Sequence, residues 1–180
     1  PIKKLPGMAQ AAGMPAVAVT ATNNMFCALE FSEMAAKAGV QPILGCQVDV
    51  TVHQAAAGEK PHKPAPLVLL AQSERGYENL MKLNTVLYLS NPDQLPQVSV
   101  QDLAAHSEDV ICLTGGALGP LGVLLHENQK TKANKFLERL KTIYGTSLYI
   151  EIQRRPTENG RTRAELSTGP DLIRLADDRD

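Results

Sequence analysis

The side chains that most often perform chemistry are scattered along this sequence. Neither a His-x-His nor a His-x-x-x-His pair is formed by the four histidines, which are His53, His62, His106 and His126. Catalytic zinc typically needs three protein ligands and two-metal sites need more, so a solvated surface position is the better interpretation of each histidine. Glu30 and Glu33 are one helical turn apart and could pair for acid–base catalysis, but they are better explained as a solvated helix face.

Nucleophile and phosphate motifs are also absent from the sequence. There is no Gly-x-Ser-x-Gly element that would support a serine nucleophile. The glycine-rich segment 113–122 matches neither of the glycine-rich nucleotide-binding motifs in register. Its backbone amides could hold a phosphate at the start of a helix, but a tight packing turn is favoured.

Composition limits the class of protein. The chain has 180 residues, a net charge of −1 and few aromatic residues, which argues against a free-standing nucleic-acid binder. Three cysteines without a Cys-x-x-Cys pair predict neither a disulfide framework nor a zinc knuckle, and they favour a reducing cytoplasm. No apolar run is long enough for a membrane span, and no signal peptide is recognisable. The start at Pro1 indicates a piece of a longer polypeptide.

Hydrophobic periodicity predicts the elements that would position any site. Helices are predicted over 2–12, 26–38, 73–89, 131–144 and 163–177, with a short helix capped by Ser99 and Asp102. Strands are predicted over 16–20, 42–52, 66–72, 109–116 and 146–153, and residues 53–65 are predicted to be an exposed excursion.

Two of these elements carry more specific expectations. The apolar run 16–20 is typical of a strand buried on both faces. In helix 73–89, the predicted inner face consists of Tyr77, Leu80, Met81, Asn84 and Leu87 or Tyr88.

The alternation of strands and helices indicates an α/β fold with mainly parallel pairing. In a doubly wound sheet or a β/α barrel, functional groups lie on loops after the carboxyl ends of the strands. The loops to search are 21–25, 53–65, 115–119 and 154–162.

Five segments occur in an order and spacing that resemble a known family: 13–31, 38–50, 67–83, 109–122 and 148–155. They are similar to the N-terminal PHP (polymerase and histidinol phosphatase) domain of the alpha subunit of bacterial replicative DNA polymerase III. The resemblance implies a (β/α)7 barrel. Residues 1–180 would then form a partial PHP domain, an incomplete barrel truncated at both ends.

Active PHP domains hold several metal ions on His, Asp and Glu side chains, and this chain departs from that pattern. The family's Thr-Asp-His-Gly-Asn loop matches residues 20–24, which places Ala21 and Thr22 at its Asp and His. A family Glu is replaced by Gln47, and a family His by Arg155, which has no lone pair for a metal. We therefore expect no metal, no catalytic residue and no cofactor in this segment. The degenerate metal-site positions are Ala21, Thr22, Asn24, Gln47 and Arg155.

The resemblance also implies a role within a larger enzyme. The parent would be a DNA-directed DNA polymerase that uses Mg²⁺ and acts in DNA replication in the cytoplasm. This segment would serve as a structural platform and docking site for the proofreading exonuclease subunit and other replisome subunits. DNA would be bound by the parent polymerase and not directly by this segment.

Two alternatives stay open at this point. The first is an active metal-dependent phosphoesterase or 3′–5′ exonuclease in which Glu151, Asn23 and His126 help to build a modified site. The second is an unrelated α/β enzyme that binds phosphate at the turn 113–122. Arg155 is expected either to pair with Glu151 or to be solvated.

Overall fold

The computed structural model describes residues 2–52, 63–89, 95–153 and 163–177. The strands are β1 (Ala16–Thr22), β2 (Gln41–Val50), β3 (Ala65–Ala71), β4 (Val110–Leu113) and β5 (Leu148–Tyr149). The helices are α1 (Leu5–Ala11), α2 (Ala28–Lys37), α3 (Glu74–Leu89), α4 (Val100–Ala105), α5 (Pro120–His126), α6 (Lys130–Tyr144) and α7 (Arg163–Asp177). These elements confirm the α/β class. The predicted excursion 53–65 lies mostly outside the described residues, although Ala65 begins β3.

The strands of the described residues form one sheet in the order β1-β2-β3-β4-β5. The β1–β2 and β4–β5 pairs are parallel, whereas β2–β3 and β3–β4 are antiparallel. The expectation of mainly parallel pairing is therefore wrong. The first reversal could have been expected from the sequence, because residues 53–65 were predicted to be an excursion without a helix and parallel pairing usually needs a crossover helix.

The second reversal comes from an additional helix between β3 and β4. Tyr88, near the end of α3, donates a hydrogen bond to the backbone of Asn23, so α3 ends at the edge of the sheet where β1 ends. Val98 then bridges Val50 at this edge. The chain next passes through α4 and enters β4 at Val110. Because of this second helix, β4 runs antiparallel to β3 and not parallel to it.

The sheet is open within the described part of the chain, as expected for an incomplete barrel. There, β1 pairs only with β2, and β5 pairs only with β4. Residues of β1 are half-buried or exposed, so the expectation of a strand buried on both faces is wrong. An edge strand has a neighbour on one side only and cannot be covered as completely as a central one.

The core lies between the sheet and its helices, and it includes Leu67, Leu69, Leu80, Leu83 and Leu140. Helix α3 buries Leu80 and Leu87 as predicted, but its inward face is rotated from the predicted one. Its buried residues are Gly76, Asn79, Leu80, Leu83 and Leu87, whereas Met81 and Tyr88 are exposed.

Gly76 explains this rotation of α3. A Cβ atom at this position would overlap the backbone oxygen of Asp109, just before β4. The missing side chain allows the helix to approach the sheet closely along the Gly76 face. Asn79, one turn later, donates a hydrogen bond to the backbone of Glu108 on the same side.

Three other local predictions are confirmed. Ser99 and Asp102 form the reciprocal hydrogen bonds of a capping box at the start of α4. Helical spacing predicts one apolar stripe on α6, and its members are buried except for the half-buried Ile143: Ala133, Phe136, Leu137, Leu140, Ile143 and Tyr144. Helix α7 spans Arg163–Asp177 as predicted. Strand β5 is shorter than predicted because a 3₁₀ turn occupies Gly145–Ser147. No helix of the described residues is long and apolar enough to cross a membrane.

Candidate functional site

The candidate site lies at the edge of the sheet where β1, β2, β4 and β5 approach their carboxyl ends. The parallel register of β1 and β2 places Ala21 opposite Cys46 and Thr22 opposite Gln47. Three of the expected metal-site positions are thus brought together. Of the other two positions, Asn24 lies on the loop after β1, and Arg155 lies outside the described residues.

The side chains at these positions bind each other. Nε2 of Gln47 donates a 3.2 Å hydrogen bond to Oγ1 of Thr22, while the Gln47 backbone oxygen accepts from the Asn23 backbone at 2.7 Å. Asn24 is also engaged: its Nδ2 donates to the Thr22 backbone at 2.8 Å, and its Oδ1 accepts from the Phe26 backbone. These groups are a methyl, a hydroxyl and amides, so the cluster carries no negative charge.

A multinuclear metal site does not fit this set of side chains. Such a site requires several anionic or imidazole ligands around each ion. In the part of the chain that the structure describes, no group of three or more His, Cys, Asp or Glu side chains could hold a metal ion. We therefore derive no metal-dependent step at these positions.

Asn23 has a structural role that the sequence did not reveal. Its backbone is left-handed, with φ of 54°, a conformation that Asn tolerates better than most residues. Its Nδ2 donates to Oδ2 of Asp49 at 2.9 Å, and its Oδ1 accepts from the Asp49 backbone at 3.0 Å. The Tyr88 hydroxyl donates to the Asn23 backbone oxygen at 2.9 Å. This residue therefore fixes the loop after β1 to β2 and α3.

Asp49 is the residue at this edge that was missed. Cys46, Val48 and Val50 of β2 are buried, so the alternating residues Gln47 and Asp49 share the opposite side. The alternation of β2 was the signal that could have found it. Because its carboxylate accepts a hydrogen bond from Asn23, Asp49 helps to fix the loop after β1 to β2.

Cys46 lies beneath the Thr22–Gln47 pair and is fully buried. Its Sγ lies 3.5 Å from the backbone oxygens of Ala21 and Asn24, and Nδ2 of Asn84 donates to it at 3.6 Å. Burial raises the pKa of the Cys46 thiol above its ordinary value, which outweighs the opposing effect of the Asn84 hydrogen bond. The thiol is therefore neutral near pH 7 and is neither an activated nucleophile nor a metal ligand.

Glu151, one of the residues proposed for a modified site, lies at the same carboxyl edge but beyond β5, the strand farthest from β1 in the described sheet. Its backbone donates to Oγ1 of the buried Thr114 at 2.9 Å, and Nε2 of Gln153 donates to its Oε1 at 2.6 Å. Glu151 follows β5, whereas Asn23 follows β1 at the other side of the described sheet. His126 ends α5 and contacts Ser167 of α7. The structure therefore does not unite Glu151, Asn23 and His126 in one cluster.

The glycine-rich turn 113–122 is used for close packing. A Cβ atom at Gly115 would overlap the Pro66 backbone, one at Gly119 the Thr114 backbone, and one at Gly122 the Ala117 backbone. The turn leads into α5, which is only seven residues long. This packing accounts for the glycines without a phosphate ligand.

Comparisons with known proteins identify the family. The family model described as PHP domain matches residues 1–155. The chain is 36% identical over 174 residues to DNA polymerase III subunit alpha of Caulobacter vibrioides, covering 96% of this chain and 15% of that protein. It is 31% identical over 182 residues to the same subunit of Treponema pallidum, covering 97% of this chain and 15% of the relative.

A third relative is DNA polymerase III subunit alpha of Rickettsia bellii, with 31% identity over 153 residues, 84% of this chain and 12% of that protein. The chain thus spans about one seventh of the length of these relatives. A solved structure of a Bifidobacterium adolescentis protein, assigned as a metal-dependent phosphoesterase, covers 97% of this chain and 89% of its own, with 11% identity and a TM-score of 0.42. Because the family model matches most of its length, the chain belongs to the PHP domain family.

Proposed function

We propose that this chain is the PHP segment of the alpha (polymerase) subunit of a bacterial replicative DNA polymerase III. The similarity to three alpha subunits over 84 to 97% of the chain supports this assignment. The parent would catalyse DNA-directed DNA synthesis with Mg²⁺ in the cytoplasm. Both the polymerase site and the site that holds the primer–template would belong to the remainder of the parent.

Within that parent, the segment would be catalytically degenerate. The observation that carries this proposal is the hydrogen bond between Gln47 and Thr22. It joins two neutral side chains where active PHP domains have metal ligands, and their hydrogen-bonding groups are directed at each other. A platform role needs only the folded surface and would survive the loss of ligands.

Metal analysis and a hydrolysis assay test this degeneracy. The purified chain is expected to contain no stoichiometric Mn, Zn or Fe, and to leave the 3′ end of a primed DNA intact with added Mn²⁺. A stoichiometric metal content, together with hydrolysis that a chelator abolishes, would overturn it. A second candidate, the active phosphoesterase or 3′–5′ exonuclease, predicts that result. It is favoured by one observation, the buried Oε2 of Glu151, which has no hydrogen-bond partner among the described residues.

The platform role requires a surface that a partner can cover, and a groove between the loop after β1 and α3 is suited to it. The groove has a volume of about 410 Å³. Four large apolar side chains line it, and their exposed fractions are 91% for Phe26, 43% for Met81, 49% for Tyr88 and 74% for Leu89. Aromatic residues and Met are enriched in the cores of protein interfaces. The exposed apolar lining makes this groove the surface at which we propose to test docking of the proofreading exonuclease subunit.

A binding assay with two matched double variants tests the groove. Phe26→Ser with Leu89→Ser is expected to weaken binding of the purified proofreading subunit at least tenfold, because both anchors are lost. Leu118→Ser with Met14→Ser removes two other large side chains, 59% and 48% exposed, and is expected to bind normally. Equal loss in both variants, or normal binding by the first, would refute docking at this groove.

A further inference from the structure

Helix α6 carries a concentration of positive charge that the composition of the whole chain conceals. The chain has a net charge of −1. The fifteen residues of α6 contain five cations and one carboxylate, a local charge of +4. The cations are Lys130, Lys132, Lys135, Arg139 and Lys141, and the carboxylate is Glu138.

Three of these cations share one side of the helix. At about 100° per residue, Lys132, Lys135 and Arg139 fall within an arc of roughly 60°. Their Cα atoms span seven residues, or roughly 10 Å along the axis. We call these three residues the basic arc.

The basic arc is free of acidic partners. All three side chains are exposed, and no ion pair links them to an Asp or Glu of the described residues. Three other exposed cations, Lys3, Lys37 and Arg75, each pair with a glutamate. The charge of the arc is therefore available to an external anion.

The opposite side of α6 holds the arc in place. Ala133, Phe136 and Leu140 are buried in the core, together with Tyr144 at the end of the helix. Because this apolar face is already covered, α6 cannot insert into a lipid surface as a basic amphipathic helix does. The cations are presented by a fixed backbone, which reduces the conformational entropy lost when a ligand binds.

The composition of the exposed face distinguishes between polyanionic partners. None of the large exposed apolar residues of the described chain lies on α6. Protein partners depend on a few buried aromatic or other anchoring side chains, which this face does not offer. A nucleic-acid backbone, in contrast, is held mainly by Lys and Arg at its phosphates and needs no apolar anchor.

We propose that Lys132, Lys135 and Arg139 form a docking surface for the phosphate backbone of duplex DNA. The contact is independent of base sequence and adds to the DNA contacts that the proposed function places elsewhere in the parent. It replaces the expectation, implied by the family resemblance, that this segment makes no direct contact with DNA. At close range, a phosphate backbone experiences the charges of the arc more strongly than the net charge of the whole chain.

Fluorescence anisotropy of the full chain with labelled 20-base-pair duplexes tests the proposal. If the arc neutralises three phosphates, the logarithm of the binding constant should fall with the logarithm of the salt concentration with a slope of about −2.7. This corresponds to about 40-fold weaker binding at 200 mM than at 50 mM salt. The triple variant Lys132→Gln, Lys135→Gln, Arg139→Gln is expected to lose about 2.7 of the measured slope. Duplexes of unrelated sequence are expected to bind alike.

Two control variants separate the arc from general charge and folding effects. The first control combines Lys3→Gln, Lys37→Gln and Arg75→Gln. It removes the same amount of charge from cations that form ion pairs, and the salt slope is expected to stay within one unit of wild type. The second control combines Lys132→Arg, Lys135→Arg and Arg139→Lys. It keeps the charge of the arc and is expected to keep the wild-type salt slope. Urea unfolding of each variant verifies that it is folded.

Three results would overturn the proposal. The first is equal loss of binding in the two charge-neutralised variants, which would indicate a response to net charge alone. The second is a duplex affinity of the wild-type chain that does not change with salt. The third is tighter binding to polyglutamate than to duplex DNA at equal charge, which would assign the arc to an acidic protein.

Discussion

Gln47 and Thr22 are 25 positions apart in the sequence, yet Nε2 of one donates a 3.2 Å hydrogen bond to Oγ1 of the other across the β1–β2 pair. The pair connects two strands through their side chains as well as their backbones. The resemblance to PHP domains predicted metal ligands at these two positions, and both side chains present there are neutral.

Gln47→Glu is expected to restore one carboxylate without restoring a metal site, because its neighbours remain Ala21 and Thr22. The Thr22 hydroxyl can donate to the new carboxylate, so the free energy of unfolding should change by less than about 1 kcal/mol. Melting temperatures with and without Mn²⁺ check this. Gln41→Glu, at the exposed start of β2, introduces the same charge as a control. A Mn²⁺-dependent rise in Tm found only in Gln47→Glu would contradict the expectation.

Asn23→Ala is expected to destabilise the chain by about 3 kcal/mol. It removes two side-chain hydrogen bonds to Asp49, each worth about 1 kcal/mol, and places a Cβ-bearing residue that lacks a local hydrogen bond at a left-handed φ. Asn23→Gly should cost about 1 kcal/mol less, since glycine accepts this φ. Asn128→Ala, at a φ of 58°, measures the backbone cost at a second site. Urea unfolding would contradict this account if Asn23→Ala and Asn128→Ala were equally destabilised.

Gly76→Ala is expected to cost about 3 kcal/mol, at the upper end of overpacking effects, because the new Cβ would overlap the Asp109 backbone. Backbone atoms cannot move aside as a flexible side chain can. Gly7→Ala in α1 is the matched control, since a Cβ there meets nothing within 4 Å, and helix propensity should make that variant more stable by up to about 1 kcal/mol. The close approach of α3 would be disproved if both variants unfolded at the wild-type urea concentration.

Alkaline pH is expected to destabilise the protein through its buried thiols. Burial raises the pKa of Cys112 well above its ordinary value of 9.0, so above pH 9 the unfolded chain loses this proton while the folded chain keeps it. The group therefore stabilises the fold fully below pH 9 and progressively less above it. At pH 10 the loss from this residue amounts to about 1.4 kcal/mol relative to pH 8.

Urea unfolding of wild type and Cys112→Ala at pH 8 and pH 10 measures this contribution. The variant is expected to lose about 1.4 kcal/mol less than wild type between the two pH values. The raised pKa values of Cys46 and Tyr144, also due mainly to burial, should leave a smaller alkaline loss in the variant. An identical pH dependence in both proteins would contradict the prediction.

Local elements could be predicted from the sequence because their signals are local. The capping box of Ser99 and Asp102 and the buried stripe of α6 depend on residues within one or two turns. The inward face of α3 could not be predicted in this way. It depends on Gly76 meeting Asp109, which is 33 positions away, and periodicity alone placed Met81 on the inner face and did not place Leu83 there.

The candidate site was only partly predictable, for a similar reason. The resemblance predicted that Ala21, Thr22 and Gln47 belong to one degenerate metal site, and the parallel register brings them together. It gave no indication that Asn23 binds Asp49 through both ends of its amide. That contact depends on a left-handed backbone, which a sequence pattern does not specify at Asn.

The charge of α6 makes the protein electrically asymmetric. With +4 on this helix and −1 on the whole chain, the remaining 165 residues carry −5. The exposed cations of this helix attract a nearby polyanion before contact is made. The helix would then face the polyanion first, so the same charges that hold a phosphate backbone also select the orientation of approach, most strongly at low ionic strength.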